Sequence, residues 1–160
     1  MVFTSILAHF NKGIELLAGY IKPQAIAMSA VHATDSGVKT CNEANFQEIV
    51  MESGREAFIL FYAKTCPHCV RVVPVWEQFG EKLKTEEVDV VKIDVSENIY
   101  PQEDFKVDRI PTIYWKFAAA YRKPIKYSGP VSIDELIKFA AERSSKELKA
   151  YDRKGKVKGN

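Results

Sequence analysis

This chain of 160 residues is 46% hydrophobic, which is enough to bury one good core and leaves little for a second. Its formal net charge is +2, but residues 143–160 alone hold seven basic and two acidic side chains, so the preceding body carries −3. That balance excludes the basic stripe of a nucleic-acid-binding domain. Three cysteines are too few for a disulfide scaffold, so chemistry better explains why two of them lie together.

An amphipathic helix is predicted at the start of the chain. Ser5 can cap it, apolar side chains recur at three- and four-residue steps, and Pro23 stops it. Two charged residues interrupt the hydrophobic stretch, so no membrane span is predicted here. Small apolar residues follow, and a signal-peptidase cut before Thr34 is the alternative. Residues 1–33 are therefore predicted to be a leader or a docking helix.

From residue 34 to 145, strands and helices alternate as in a compact α/β domain. The predicted strands begin at Val38 and continue at residues 57–63, 88–94, 112–117 and 125–127. The predicted helices cover residues 43–53 and 66–84, then a short acidic piece near Gln102 and a final helix opened by a capping box at residues 132–135. The strand at residues 57–63 is apolar on both faces, as a central strand requires. Residues 146–160 are predicted to be a solvated basic tail.

The chemistry is predicted at Cys66-Pro67-His68-Cys69, where a strand turns into a helix. Unpaired backbone donors and the helix dipole favour a thiolate over a thiol at Cys66. Cys69, one turn further in, is placed to reach Cys66 and close a small disulfide ring. One thiol attacks and the other resolves the mixed disulfide. Pro67 stiffens the loop, and His68, if protonated, adds a nearby positive charge.

Several motifs then carry a family resemblance. Residues 61–79 resemble the active-site strand and helix of the thioredoxin superfamily, with Pro74 eight positions after the first cysteine. The segment around Ile110 and Pro111 resembles the cis-proline loop of that superfamily, which faces the cysteines and accepts an extended peptide. The Tyr-Ser-Gly at residues 127–129, ahead of a capped helix, is similar to the protein disulfide isomerase branch. The resemblance covers roughly residues 36–142.

This resemblance implies a thioredoxin fold, with a central mixed β-sheet flanked by helices, an N-terminal helical appendage and a basic tail. It implies a monomeric enzyme that forms, reduces or isomerises disulfides of protein substrates through Cys66 and Cys69. No cofactor or metal is expected, and a thiol or disulfide redox partner regenerates the pair. The Pro-His pair is that of the bacterial oxidase DsbA, whose inserted helical domain does not fit in so short a chain.

The same resemblance implies the endoplasmic reticulum or the secretory pathway as the compartment. The last five residues, 156–160, are not a retention signal of the endoplasmic reticulum, so the cytoplasm is the alternative.

Two positions depart from the family pattern. The family commonly places a buried acid six residues before the first cysteine, where it helps to deprotonate the inner thiol; this chain has Leu60. Isomerase domains tend to have an arginine two positions after the glycine of the Tyr-x-Gly motif, and this chain has Val131. Both losses are expected to slow the steps that depend on Cys69.

Two alternatives compete with the enzyme. A peptide-binding, chaperone-like module with weak redox activity would use the cis-proline groove and need little catalysis. A zinc site would use the two thiolates as half of its ligands, but the sequence offers no second pair. Cys41 stands alone and is expected to be a small core residue at a strand end.

Overall fold

The computed structural model describes residues 36–159, and residues 36–160 belong to one compact unit. The predicted N-terminal helix and the cleavage position before Thr34 lie outside the described residues. Within residues 36–159, no helix is both long and apolar enough to cross a membrane.

A five-stranded mixed sheet forms the centre of this unit, with helices on both faces. The strands are β1 (Val38–Cys41), β2 (Glu56–Tyr62), β3 (Val88–Asp94), β4 (Thr112–Lys116) and β5 (Ile125–Tyr127). They lie in the order β1-β3-β2-β4-β5; β3 is parallel to β1 and β2, and β4 is antiparallel to β2 and β5. The helices are α1 (Gln47–Met51, π-helical), α2 (Pro67–Leu83) and α3 (Ile133–Arg143). The predicted thioredoxin fold is confirmed.

Strand β2 is buried along its whole length because both of its faces are covered. Alternate side chains point to opposite faces of a strand. Phe58 and Leu60 therefore join the core under α2 and α3, whereas Ile59 and Phe61 join the core beside α1. The ring of Phe58 contacts five other aromatic rings at centroid distances of 5.3–5.7 Å. Strand β2, from whose end the cysteine motif follows, is thus held by aromatic packing as well as by its neighbouring strands.

Helix α2 starts where local sequence directs it. Cys66 occupies the N-cap with an extended backbone (φ −81°, ψ 118°), and Pro67 takes the first helical position, where its missing N–H costs no hydrogen bond. Further along the helix, an added Cβ at Gly80 would lie 2.2 Å from a methyl of Val38. The helix axis can approach β1 this closely because position 80 is glycine.

Three predicted local features differ in the structure. The helix expected at residues 43–53 is only α1, because the Asn42 side chain accepts hydrogen bonds from the backbone N–H groups of residues 44 and 45 and holds a turn there. The segment near Gln102 is a turn rather than a helix. The capping box of α3 does not form: Ser132 is the N-cap, but its side chain makes no capping hydrogen bond.

The C-terminal tail is predicted to be solvated; most of its residues are exposed, but two of its apolar side chains are packed into the core. Leu148 and Tyr151 are only 3% and 7% exposed and belong to the core cluster under α2 and α3. A turn that follows has Gly155 at φ 75°, and an added Cβ there would lie 2.7 Å from the Cα of Lys138 in α3. The boundary predicted at residue 145 therefore does not mark the end of the packed unit.

Two buried carboxylates attach this tail to the strands. The Glu86 carboxylate accepts hydrogen bonds from the backbone N–H groups of Lys149 (2.6 Å) and Ala150 (2.8 Å). The Glu56 carboxylate accepts from the backbone N–H of Ser145 at 3.0 Å. Both glutamates lie just before or at the start of parallel strands, so the tail covers the edge of the sheet where these strands begin.

If the tail is part of the core, Leu148→Ala should lower the free energy of unfolding by about 2–4 kcal/mol, as expected for a cavity left by a buried leucine. Val157→Ala is the matched control, because Val157 lies in the same tail but is 75% exposed; its effect should stay within about 0.5 kcal/mol. Urea denaturation of both variants measures the difference. Equal, small effects would contradict the packed tail.

Candidate functional site

Cys66 lies at the carboxyl-terminal edge of β2 and is half-buried. Its Sγ accepts a hydrogen bond from the backbone N–H of Cys69 at 3.3 Å. The same sulfur lies 4.0 Å from the carbonyl oxygen of Ile110, which can accept the thiol proton. Cys66 is therefore both open to solvent and in contact with the loop that precedes β4.

Cys69 lies one turn further along α2 and is 1% exposed. It belongs to the same core cluster as Leu60. Both cysteines of the motif are present as free thiols. The three-residue step therefore separates a half-buried sulfur from a buried one; that Cys66 attacks and Cys69 resolves stays a prediction.

The two thiols have opposite tendencies to ionise. The side chain of Cys69 donates a hydrogen bond that lowers the pKa of Cys66, and the backbone N–H groups of Cys69 and His68 add to this against the effect of burial. Burial, followed by the hydrogen bond to Cys66, raises the pKa of Cys69 to about 11, although the backbone N–H of Ala63 opposes the shift. The thiolate therefore forms on Cys66, the sulfur that a substrate can reach.

The cis-proline loop is confirmed. The peptide bond between Ile110 and Pro111 is cis, and both residues are half-buried. Thr112 at the start of β4 donates its hydroxyl to the carbonyl oxygen of Arg109 at 2.6 Å, which holds the loop at the strand end. The loop faces Cys66, as the resemblance implied.

His68 contacts Arg71, a residue that the sequence analysis did not single out. The Nη2 of Arg71 lies 2.9 Å from Nδ1 of His68. Because a guanidinium has donors and no acceptor, Arg71 donates this bond and Nδ1 accepts it. The spacing of three residues on a helix was the available signal. The contribution of a protonated His68 to the Cys66 thiolate stays a prediction.

Asp94 is a second residue that the sequence analysis missed. It ends β3 in register with Tyr62, is 4% exposed, and its charge contributes to raising the pKa of Cys69. Burial raises the pKa of Asp94, but hydrogen bonds from Ser96 and from the backbone N–H of Lys64 outweigh it and hold the pKa below its usual value. A carboxylate of low pKa is a weak base. Parallel strands ending at one edge were the signal for its position.

The two departures from the family pattern take clear structural forms. Leu60 is fully buried, and Lys92 lies opposite it in register on β3. The ammonium of Lys92 forms an ion pair with Glu77 of α2. Val131 is half-buried and packs on the core. Position 60 therefore supplies no proton acceptor to Cys69.

Cys41 is a core residue at the end of β1, as expected. It is 2% exposed, and burial raises the pKa of its thiol to about 12. Among residues 36–159, no group of three or more histidine, cysteine or acidic side chains is placed to hold a metal ion.

Comparison with known proteins agrees with this geometry. A family model described as thioredoxin matches residues 37–142, and the chain belongs to the thioredoxin family. The probable protein disulfide-isomerase ER-60 of Schistosoma mansoni is 29% identical over 157 residues, which cover 98% of this chain and 31% of that protein. The protein disulfide-isomerase of Humicola insolens is 31% identical over 132 residues, covering 80% of this chain and 26% of that protein. The chain spans less than a third of the length of these relatives.

Solved structures show the same fold. The solution structure of the first thioredoxin domain of mouse protein disulfide-isomerase A4 is 27% identical, with a TM-score of 0.58 over 66% of this chain and 74% of that domain. A crystal structure of the J-Trx1 fragment of ERdj5 also has a TM-score of 0.58, at 22% identity, over 65% of this chain and 50% of that fragment. The chain is thus a thioredoxin domain, with protein disulfide-isomerases among its relatives.

The hydrogen bonds at Cys66 predict the effect of two substitutions on its pKa. Cys69→Ala removes the side-chain donor and should raise the pKa of Cys66. His68→Ala keeps the backbone N–H and should raise it less. The thiolate absorbance of the reduced protein, titrated against pH, measures both. A larger rise for His68→Ala would show that the imidazole, and not the Cys69 thiol, is the main stabiliser of the thiolate.

Proposed function

We propose that this domain catalyses thiol–disulfide exchange on cysteine-containing proteins, forming, reducing or isomerising their disulfides. The observation that carries the proposal is the pair of unequal thiols: Cys66 is accessible, has a lowered pKa and contacts the cis-Pro111 loop, while Cys69 is buried one turn behind it.

The reaction has two exchanges. The Cys66 thiolate attacks one sulfur of a substrate disulfide, a bond forms between Cys66 and that sulfur, and the other substrate sulfur leaves as a thiolate that takes up a proton. Cys69 then loses its proton and attacks Cys66, which releases the second substrate thiolate and leaves a Cys66–Cys69 disulfide. The substrate gains two electrons and the domain loses two; a dithiol partner returns them. The reverse sequence oxidises a substrate.

The loop at Ile110 and Pro111 is the proposed substrate-binding element. Its carbonyl oxygen at residue 110 lies 4.0 Å from Cys66 Sγ, so a peptide extended along the loop would bring its cysteine to the nucleophile. Backbone recognition of this kind suits many substrates, because it does not read side chains.

The second exchange is proposed to limit turnover. In the mixed disulfide Cys66 is no longer a thiolate, so its contribution to the raised pKa of Cys69 disappears. Burial and the negative charge of Asp94 remain, and both keep Cys69 protonated. Because position 60 is leucine, there is no carboxylate at that position of β2 to accept the proton.

The slow second exchange also supports the alternative function, a peptide-binding, chaperone-like module with weak redox activity. Insulin reduction and oxidative refolding of a reduced substrate protein separate the two functions. If the enzymatic proposal is right, the chain accelerates both insulin reduction and oxidative refolding, and Cys66→Ser abolishes the acceleration. Suppression of substrate aggregation that survives Cys66→Ser, without redox turnover, would support the binding module.

A secretory compartment, with the cytoplasm as the alternative, goes with the enzymatic proposal. Several curated relatives are named protein disulfide-isomerases, and protein disulfides persist in oxidising compartments such as the lumen of the endoplasmic reticulum. Fractionation of cells that express the full chain with a small internal tag distinguishes the two. We propose that the domain acts as a monomer and is regenerated by a small thiol or disulfide, or by another oxidoreductase.

The missing acid at position 60 gives a kinetic prediction. Leu60→Glu should place a carboxylate beside Lys92, its partner in register, and should speed the decay of a substrate mixed disulfide on Cys66 at neutral pH. Burying the acid costs a few kcal/mol of stability, about the usual cost of a buried polar group. Single-turnover decay of the isolated mixed disulfide measures the effect.

Leu60→Gln is the matched control, because glutamine is close to glutamate in size and is polar, but its amide does not accept a proton from a thiol. Its decay rate should equal that of the unmodified chain. If the glutamate and glutamine variants are both folded and decay at one rate, proton removal from Cys69 does not limit turnover.

A further inference from the structure

The surface around the reactive sulfur carries two guanidinium groups with no acidic partner in the described part of the chain. Arg71 and Arg109 are both exposed, and neither forms an ion pair with any carboxylate of residues 36–159. Unpaired arginine side chains near a binding loop are available to a ligand. Arginine is suited to carboxylates, because its planar donors match the two carboxylate oxygens.

Arg71 approaches Cys66 from the helix side. Long side chains on a helix lean toward its N-terminus, and the Arg71 guanidinium does so, since it contacts His68 at 2.9 Å. His68 is two residues from Cys66, and its backbone N–H is one of the donors that lower the pKa of Cys66. The guanidinium therefore lies at the level of the first turn of α2, the helix whose N-cap is Cys66.

Arg109 lies on the cis-proline loop, the second element that contacts Cys66. It directly precedes Ile110, whose carbonyl oxygen is 4.0 Å from Cys66 Sγ. Its own carbonyl oxygen is fixed by the Thr112 hydroxyl, so the backbone that carries the side chain is held in place. A peptide that lies along this loop with its cysteine at Cys66 follows the segment that carries Arg109 and ends at the helix turn where the Arg71 guanidinium lies.

The carboxylates of residues 36–159 form no ion pair with either arginine. Asp94 is buried and saturated by hydrogen bonds, and Glu97 pairs with Lys64 at 2.8 Å. Burial raises the pKa of Tyr100 and of Tyr114, and the charge of Asp108 adds to both shifts. The rings of these tyrosines lie in or against the core on the other face of the sheet.

The two acids that open α3 are accounted for in the same way. Burial raises the pKa of Tyr127 and of Tyr151 in the tail, and the charges of Glu135 and Asp134, respectively, add to these shifts. None of the acidic side chains of residues 36–159 forms an ion pair with Arg71 or Arg109.

We propose that Arg71 and Arg109 select cysteine-containing polypeptide segments that carry acidic residues next to the reacting cysteine. This rests on the proposed function and adds a substrate class to it. In the mixed disulfide, the carboxylates on either side of the substrate cysteine lie against the two guanidinium groups. The same charges disfavour segments with flanking lysines.

The test uses three synthetic peptides that differ only in the residues on both sides of one cysteine: aspartate, asparagine or lysine. Each peptide is a mixed disulfide with a chromogenic aromatic thiol, and its rate with the reduced protein is divided by its rate with dithiothreitol to remove intrinsic reactivity. At low salt we expect the aspartate peptide to exceed the lysine peptide at least about fivefold, and high salt should remove most of this ratio.

For each variant, the rates with the aspartate and lysine peptides are divided by its rate with the asparagine peptide. Arg71→Gln and Arg109→Gln should each lower the aspartate-to-lysine ratio, and the double variant should abolish this preference. Lys149→Gln is the charge-matched control. Lys149 lies at the other end of the sheet, beside Glu86, and its loss should leave the ratio unchanged.

The outcomes separate the two claims. If none of the three peptides reacts faster than with a Cys66→Ala variant, the proposed function itself fails. If all three react at one normalised rate, the function stands and the charge selection is wrong. A ratio that survives in the double arginine variant would also overturn the assignment, because the preference would then come from other residues.

Discussion

The hydrogen bond from the backbone N–H of Cys69 to the sulfur of Cys66 is the interaction on which the rest of the site depends. It fixes Cys66 as the N-cap of α2, where the free donors of the first turn point at the sulfur. It also fixes Cys69 one turn further along α2, where its side chain is buried in the core. One local contact thus produces an accessible thiolate and a shielded thiol.

The sheet determines where that contact is placed. Strand β2 is buried on both faces, so the point at which it ends and α2 begins is held by the whole core. Strand β3 ends at the same edge and supplies Asp94, which binds the backbone N–H of Lys64 just before the motif. Strand β4 runs the opposite way and starts at this edge, so the cis-proline loop arrives beside Cys66 from a position 44 residues away in sequence.

The charge pattern under α2 shows how the chain accommodates the loss of an acid on β2. Lys92 lies in a partly buried position opposite Leu60, and a lysine there needs a partner. Glu77 on α2 provides it. The ion pair neutralises the charge of Lys92. Cys69 remains buried, and its pKa is raised by that burial and also by the negative charge of Asp94. The site is arranged to form the Cys66 thiolate readily and to deprotonate Cys69 reluctantly.

The sequence by itself determined the features that depend on neighbouring residues. The apolar runs indicated all five strands, and the strand-to-helix junction placed Cys66 at a helix start. The resemblance of the segment around Pro111 to the cis-proline loop implied the cis bond. Only the tertiary structure decided the rest. Leu148 and Tyr151 stand in a basic segment without apolar periodicity, and only the surfaces of α2 and α3 make them core residues.

The same limit applies to the site. Asp94 affects Cys69 because two parallel strands end together, although they are far apart in sequence. The Asn42 side chain holds a turn at residues where the sequence predicted a helix. Hydrophobic period and helix capping act over a few residues and can be seen in a linear sequence. Contacts between distant segments are selected by how the packed elements meet, and the folded chain alone fixes them.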